Sequence, residues 1–294
     1  MNLWQNYLQP GNVTEALQAL AAAPGPACLI AGGTDLMLDL TQGYHPPVHT
    51  LVDVTAIPEM TVIELRQGEV YIGAAVPLSR IASAQLVRQN ARALLEACNL
   101  VGGPQVRNMA TLGGNVAHAL PAADGTIALM ALDAQAEVAD LNGRRRVPLA
   151  TLFAGPGQST LKPGQELLVG FSLPLESAGQ GSAFKRIMRM QGTALPILNL
   201  AVWLERREER IIALRVAVGP SGPTPRRIAP LEQALCGRPL DAQTHARALE
   251  VLLESVHFRT SPLRASAEYR ADLVEGLLKD TLDAAWLRAE KISA

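Results

Sequence analysis

The sequence predicts an α+β chain: two lobes of short strands and helices, followed by a small antiparallel sheet backed by helices. Three observations predict it. Up to Pro174, short apolar strand patterns alternate with helical ones, and two junctions carry Gly-Gly pairs, Gly32-Gly33 and Gly113-Gly114. Between 183 and 218, three strand-like segments succeed one another with no helical pattern between them. From Arg227 to Ala294 the spacing is helical, with few breakers.

The composition bounds the classes of function. The chain has 294 residues, 48% of them hydrophobic and 18% charged, enough for two domains with a sizeable core. The formal net charge of −1 leaves no electrostatic footprint for nucleic acid or an anionic membrane. The longest apolar stretches, around Ile127–Leu132 and Ala27–Ala31, are far too short to span a bilayer. Met1-Asn2-Leu3-Trp4-Gln5 lacks the basic-then-apolar order of a secretory leader, so none is expected. Cys28, Cys98 and Cys236 form no CxxC pair. No iron–sulfur or zinc site can be built from them, and reduced, mostly buried thiols in a cytoplasmic protein are expected. His45 and His49 straddle Pro46-Pro47, which forbids a helical two-histidine metal site.

In chain order, Asn12-Val13-Thr14-Glu15 reads as a helix cap with a glutamate three residues on, opening a helix to about Ala22. Pro24-Gly25-Pro26 ends it. Ala27–Ala31 is a strand feeding the first Gly-Gly loop, and Thr34–Leu40 begins a helix. Leu51–Val54 is a buried strand. Val62–Arg66 and Val70–Ala74 form a hairpin around Gln67-Gly68. A helix from Pro77 runs through the Arg80–Gln89 region, and a more apolar one covers Arg92–Cys98. Val101–Asn108 is a loop. Gly125–Leu132 is an internal helix. Gln135–Asp140 and Arg144–Pro148 flank Asn142-Gly143, a strong hairpin signal. Glu166–Leu173 is a strand. Pro174 to Gly181 is the candidate boundary. Ala183–Met190, Leu198–Glu205 and Ile211–Val218 are three antiparallel strands. Gly219–Pro225 is a rigid loop, and Pro230–Cys236, Ala242–Ser255 and Ala265–Lys291 are helices.

The two Gly-Gly segments carry the chemistry. Ala31-Gly32-Gly33-Thr34-Asp35 and Thr111-Leu112-Gly113-Gly114-Asn115 each join apolar sequence to a helix, and each holds a small hydroxyl or amide residue. Without a Cβ, glycine lets backbone N–H groups approach a phosphate, and a helix start adds its dipole. Two such loops could grip a diphosphate from both sides, which points to a dinucleotide cofactor. A lone Gly-Gly turn is weak, since the chain holds 24 glycines. No G-x-G-x-x-G is present, so a doubly wound dinucleotide fold is disfavoured. P-loop, G-x-S-x-G and H-E-x-x-H are absent too. Asp124 reads equally as a helix cap. Lys185, beside Phe184 in an apolar strand, is either an inward lysine needing a partner or an exposed edge residue. Arg144-Arg145-Arg146 reads as a solvated hairpin, and Arg226-Arg227 as solvent-exposed.

Leu29-Ile30-Ala31-Gly32-Gly33-Thr34-Asp35, Gly103-Pro104-Gln105-Val106-Arg107-Asn108, Thr111-Leu112-Gly113-Gly114-Asn115 and Pro121-Ala122-Ala123-Asp124 together resemble the FAD-binding medium subunit of molybdenum hydroxylases, the xanthine dehydrogenase and carbon monoxide dehydrogenase family. The similarity opens at Leu3–Pro10 and closes at Ser266-Ala267-Glu268-Tyr269-Arg270, so it spans nearly the whole chain. The resemblance implies a two-subdomain FAD-binding fold of the vanillyl-alcohol-oxidase type (1–54 and 55–177), then a C-terminal sheet-and-helix domain (178–294).

By matching positions, the resemblance implies that Ala31, Gly32, Gly33, Thr34 and Asp35, with Ala110, Thr111, Gly113, Gly114 and Asn115, hold the diphosphate and ribityl chain. Leu29 and Ile30 lead in. Val101 falls at an adenine-side contact that is often aromatic in the family, and Leu168 at a main-chain contact on the adenine end. His118 and Asp124 fall near the ribityl and flavin, and Lys185 near the flavin ring. The resemblance also implies partners: a molybdenum–pterin large subunit and a small subunit with two 2Fe–2S clusters, assembled as a dimer of heterotrimers. FAD would then relay electrons from a cluster to NAD+, a quinone or another acceptor, and no side chain of this chain need act as nucleophile or base. The alternatives are a self-sufficient FAD-dependent oxidase or dehydrogenase, and an assembly protein that has lost FAD.

Overall fold

The first lobe is built on a parallel sheet. Strand β1 (Asn6–Leu8), helix α1 (Val13–Ala21), β2 (Ala27–Ile30), α2 (Leu36–Gln42) and β3 (Thr50–Asp53) give the strand order β1-β3-β2. The Asn12 side chain accepts from the Glu15 N–H at 2.9 Å, and the Glu15 carboxylate accepts from the Gly11 N–H at 2.8 Å. That reciprocal cap fixes where α1 begins. Val13, Ala16, Leu17 and Leu20 then fall on one buried stripe. This structure is a computed structural model that describes residues 2–188, 195–262 and 264–290. Residues 189–190 of the expected Ala183–Met190 strand and Lys291 of the last expected helix lie outside them.

The second lobe runs in chain order through β4 (Ile63–Arg66), β5 (Glu69–Gly73), α3 (Leu78–Ser83), α4 (Gln85–Asn90), α5 (Arg92–Leu100), α6 (Pro104–Met109), α7 (Leu112–Ala117), α8 (Asp124–Ala131), β6 (Gln135–Asp140), β7 (Gly143–Pro148), β8 (Phe153–Gly155), β9 (Gln158–Ser159) and β10 (Leu167–Pro174). Five strands form an antiparallel sheet in the order β4-β5-β10-β6-β7. Every residue of α8 is buried, in keeping with its lack of any polar face. The arginines of β7 are not simply solvated. Arg144 pairs with Glu59 and Glu137, Arg145 with Glu166, and Arg146 with Glu69.

Three sequence expectations change here. The single helix from Pro77 is two, because Ala84 is extended (ψ 126°) and carries no glycine or proline to announce the break. The 101–108 segment is not all loop: Pro104 starts α6, where its missing N–H costs nothing. The second Gly-Gly segment therefore follows a helix rather than a loop.

The C-terminal unit pairs β11 (Gln180–Met188), β12 (Pro196–Arg207) and β13 (Arg210–Gly219) as an antiparallel sheet, backed by α9 (Ala229–Leu235), α10 (Ala242–Ser255) and α11 (Ala267–Glu290). The lobes share one apolar core and this unit has a second. Strand β11 faces both. Phe184 packs into the first core and Ala183 into the second. Arg288 clamps the two units, donating to Glu96 at 2.5 Å and to the Ser182 carbonyl oxygen at 2.6 Å. Arg227 is not free in solvent: it pairs with Glu232 at 2.7 Å and with Asp133 at 2.9 Å. Cys236 is exposed, whereas Cys98 is buried.

Candidate functional site

A cavity of about 980 Å³ opens where the two lobes and the C-terminal unit meet. That lies at the upper end of the range for ligand sites. Its walls come from three places: Leu29 to Asp35 in the first lobe, the Val101 and Ala110–Asp124 regions in the second, and Arg186, Pro196, Pro220 and Arg270 in the C-terminal unit.

The first Gly-Gly segment leaves β2 and turns directly into α2. Gly33 takes φ +67°, a left-handed conformation that suits glycine. Gly32 touches the chain at the end of α6 so closely that a Cβ would sit 2.0 Å from the Met109 carbonyl oxygen. Among the described residues, nothing accepts from the N–H groups of Gly32, Gly33, Thr34 or Asp35. Four donors at a helix start, beside a cavity of this size, fit the diphosphate of a dinucleotide. Asp35 stands at the cap position of α2 but does not cap it with its side chain.

The second segment behaves differently from the expectation. The N–H groups of Leu112 and Gly113 donate to the carbonyl oxygens of Val76 (3.2 Å) and Ala74 (2.8 Å). Those of Gly114 and Asn115 donate to the Thr111 hydroxyl and carbonyl oxygens, at 3.1 and 3.0 Å. These donors tie α7 to the lobe rather than pointing at a ligand. Gly113 is absent from the cavity wall, and its Cβ would meet Ala74 Cβ at 2.6 Å. It is a packing glycine. Ala110, Thr111, Gly114, Asn115 and His118 do line the cavity. Upstream, Arg107 holds the turn at Val101 by donating to the carbonyl oxygens of Val101 (3.2 Å) and Gly102 (2.7 Å).

Asp124 is almost fully buried, and its carboxylate is an ion-pair partner rather than a helix cap. Arg186 pairs with one oxygen at 2.5 Å, and Asn199 donates to the other at 2.6 Å. Asn199 also donates to the Ala122 carbonyl oxygen at 3.0 Å, so the turn before α8 is anchored to β12. Burial pushes the Asp124 pKa up, and Arg186 and then Asn199 oppose it. The Arg186 Nε has no acceptor among the described residues.

Lys185 and Leu168 lie outside the cavity wall. Leu168 is a core residue of β10. Lys185 sits on the α11 face of β11, with its Nζ 3.6 Å from Asp280 and 43% of its side chain exposed. The strand alternates: Ser182, Phe184 and Arg186 face the second lobe, while Ala183, Lys185 and Ile187 face α11. The cation brought to the cavity is therefore Arg186, one residue on from the expected lysine. The sequence did signal this: with Phe184 in the lobe core, period-two alternation puts Arg186 on that side. Arg186, Asn199 and the late arginines Arg259, Arg264 and Arg270 are site residues that sequence reasoning missed.

Among the described residues, no group of three or more His, Cys, Asp or Glu is placed to hold a metal ion, and no helix is long and apolar enough to cross a membrane.

Comparison with known proteins agrees with this geometry. Residues 3–176 match the family model for the FAD binding domain in molybdopterin dehydrogenase, and residues 182–285 match that for the CO dehydrogenase flavoprotein C-terminal domain. The xanthine dehydrogenase FAD-binding subunit of Escherichia coli O157:H7 is 31% identical over 95% of both chains. The carbon monoxide dehydrogenase medium chain of Hydrogenophaga pseudoflava is 29% identical over 96% of this chain and 97% of its own. A structure of carbon monoxide dehydrogenase from H. pseudoflava, lacking the Mo-pyranopterin moiety of its molybdenum cofactor, superposes with a TM-score of 0.91 at 28% identity. It covers 98% of this chain and 99% of that one.

Proposed function

This chain belongs to the family of FAD-binding medium subunits of the xanthine dehydrogenase and carbon monoxide dehydrogenase type, and from that premise we propose that it is the electron-relay subunit of a heterotrimeric molybdenum hydroxylase. Its partners are a molybdenum-binding large subunit and a small subunit with two 2Fe–2S clusters, assembled as a dimer of heterotrimers in the cytoplasm. The cavity at the meeting of three walls carries the reading. Bound FAD supplies chemistry in one- and two-electron steps, so electrons arriving singly from a cluster can leave to NAD+, a quinone or another acceptor.

The chain's own residues bind and orient. The open N–H groups of Gly32 to Asp35 take the diphosphate. Thr111, Gly114, Asn115 and His118 form the second-lobe side of the same cavity. Arg186 and Asn199 hold Asp124 in one position, so the floor near Ala122 cannot drift. No side chain has to take a proton from a substrate. We also read residues 1–54 and 55–177 as the two FAD-binding subdomains and 178–294 as the C-terminal domain.

Purifying the full chain and releasing its chromophore tests the assignment. A flavin spectrum with about one FAD per chain is expected. A colourless chain that cannot be loaded with FAD refutes it. Bleaching of the loaded chain by cluster-subunit reductant, but not by an organic substrate alone, separates a relay from a self-sufficient oxidase.

A further inference from the structure

The C-terminal wall of the cavity carries charge that the Gly-Gly segments do not explain. Among the described residues, Arg186, Arg259, Arg264 and Arg270 line the cavity against two carboxylates, Asp35 and Asp124. Asp124 is already paired with Arg186. Arg259, Arg264 and Arg270 form no ion pair with any described residue.

Arg270 is the unusual one. It is 2% exposed, the largest fully buried side chain among the described residues. Its Nη1 donates to the Arg259 carbonyl oxygen. Its buried Nε has no acceptor among the described residues. Burial, then Arg264 and Arg259 nearby, press its pKa downward. A guanidinium nevertheless keeps its proton in a protein, so the charge remains. A buried charge without a counter-charge is costly, and two further cations add to that cost. An anion at this wall would offset all three. The guanidinium fork matches phosphate oxygens bidentately.

We propose that Arg270, with Arg264 and Arg259, forms a phosphate-binding subsite in the C-terminal wall of the cavity. The phosphate is carried either by FAD itself or by a second phosphorylated molecule sharing the cavity. The first source rests on the FAD reading above; the second does not.

Full-length wild-type chain, Arg264→Gln, Arg259→Gln and Arg270→Lys are titrated with FAD, and their FAD-loaded forms with inorganic pyrophosphate. Arg264 is half-buried and Arg259 exposed, so their variants test the subsite even if Arg270→Lys fails to fold. FAD as the source predicts FAD affinity falling roughly tenfold or more in the variants, with no pyrophosphate uptake by the loaded wild type. A second molecule as the source predicts unchanged FAD affinity, with pyrophosphate binding to the loaded wild type weakened by a similar factor. Folded variants that match wild type in both titrations overturn the subsite. If the wild type takes no FAD, the functional reading fails, and pyrophosphate binding to the FAD-free chain and its variants still decides the subsite.

Discussion

Gly32 is where the first Gly-Gly loop leans on the second lobe, and Gly32→Ala should cost FAD binding as well as folding. The added Cβ would lie 2.0 Å from Met109 O, 2.6 Å from Met109 C and 2.9 Å from Ala110 Cα. All three are backbone atoms, and that backbone is held: the Ala110 N–H donates to Val106 O at 2.7 Å and its carbonyl accepts from the Leu78 N–H at 2.9 Å. Opening the contact to an ordinary separation of roughly 3.5 Å moves the two loops apart by about 1.5 Å. Overpacking of this kind costs about 1–3 kcal/mol in stability. A diphosphate gripped by the displaced N–H groups would also lose one or two charge-assisted hydrogen bonds, each worth roughly 1.5–3 kcal/mol. FAD dissociation constants should therefore rise by about 100-fold. Flavin fluorescence on titration measures the affinity, and thermal unfolding of the FAD-free chain measures the folding cost. A variant that binds FAD as tightly as wild type would refute the claim that this loop spacing positions the cofactor.

Three other outcomes follow from buried groups and the cavity wall. Asp124→Asn leaves Arg186 buried without its counter-charge and should destabilise by about 3–5 kcal/mol, read by denaturant unfolding; a loss under 1 kcal/mol would show that solvent reaches the pair. Burial raises the Glu176 pKa from 4.5 to about 7, against the pull of Arg288. The folded state then holds the extra proton, so stability is fully present below the unfolded value and falls by about 3 kcal/mol as pH rises towards and through 7. Glu176→Gln should remove that slope, and an unchanged pH profile would contradict the burial. Val101→Phe should offer an aromatic face at the cavity wall and tighten FAD about five- to tenfold, by stacking worth roughly 1 kcal/mol; an unchanged dissociation constant would place the adenine elsewhere.

Much of this architecture was legible because local chemistry settled it. Asn12 with Glu15, and Asn142-Gly143 with its flanking alternation, specify their elements without tertiary help. The apolar 125–132 run reads as internal because it has no face to show water. The α3–α4 break was not legible, since Ala84 has no intrinsic reason to leave the helix and the packing of its neighbours imposes it. Helix α6 had a signal in Pro104 at a first helical turn, masked by the two glycines before it. The first Gly-Gly segment shows the open donors its sequence suggested. In the second, similar residues spend their donors on Val76 and Ala74, a difference that depends on what packs nearby and not on the motif. The late arginines carried no local pattern: 84 residues separate Arg186 from Arg270 in sequence, and only folding brings them to one wall.

Strand β11, with its two opposed faces, distributes its information unevenly. A slip of one residue that set Lys185 in the place of Arg186 would still bring a cation to Asp124. Electrostatics alone would accept either pairing. The choice falls to the neutral positions, because the same slip would turn the Phe184 ring out to the α11 face and leave an alanine-sized plug in the lobe core. Fidelity of the cavity's charged floor is thus enforced by residues that carry no charge and never touch it.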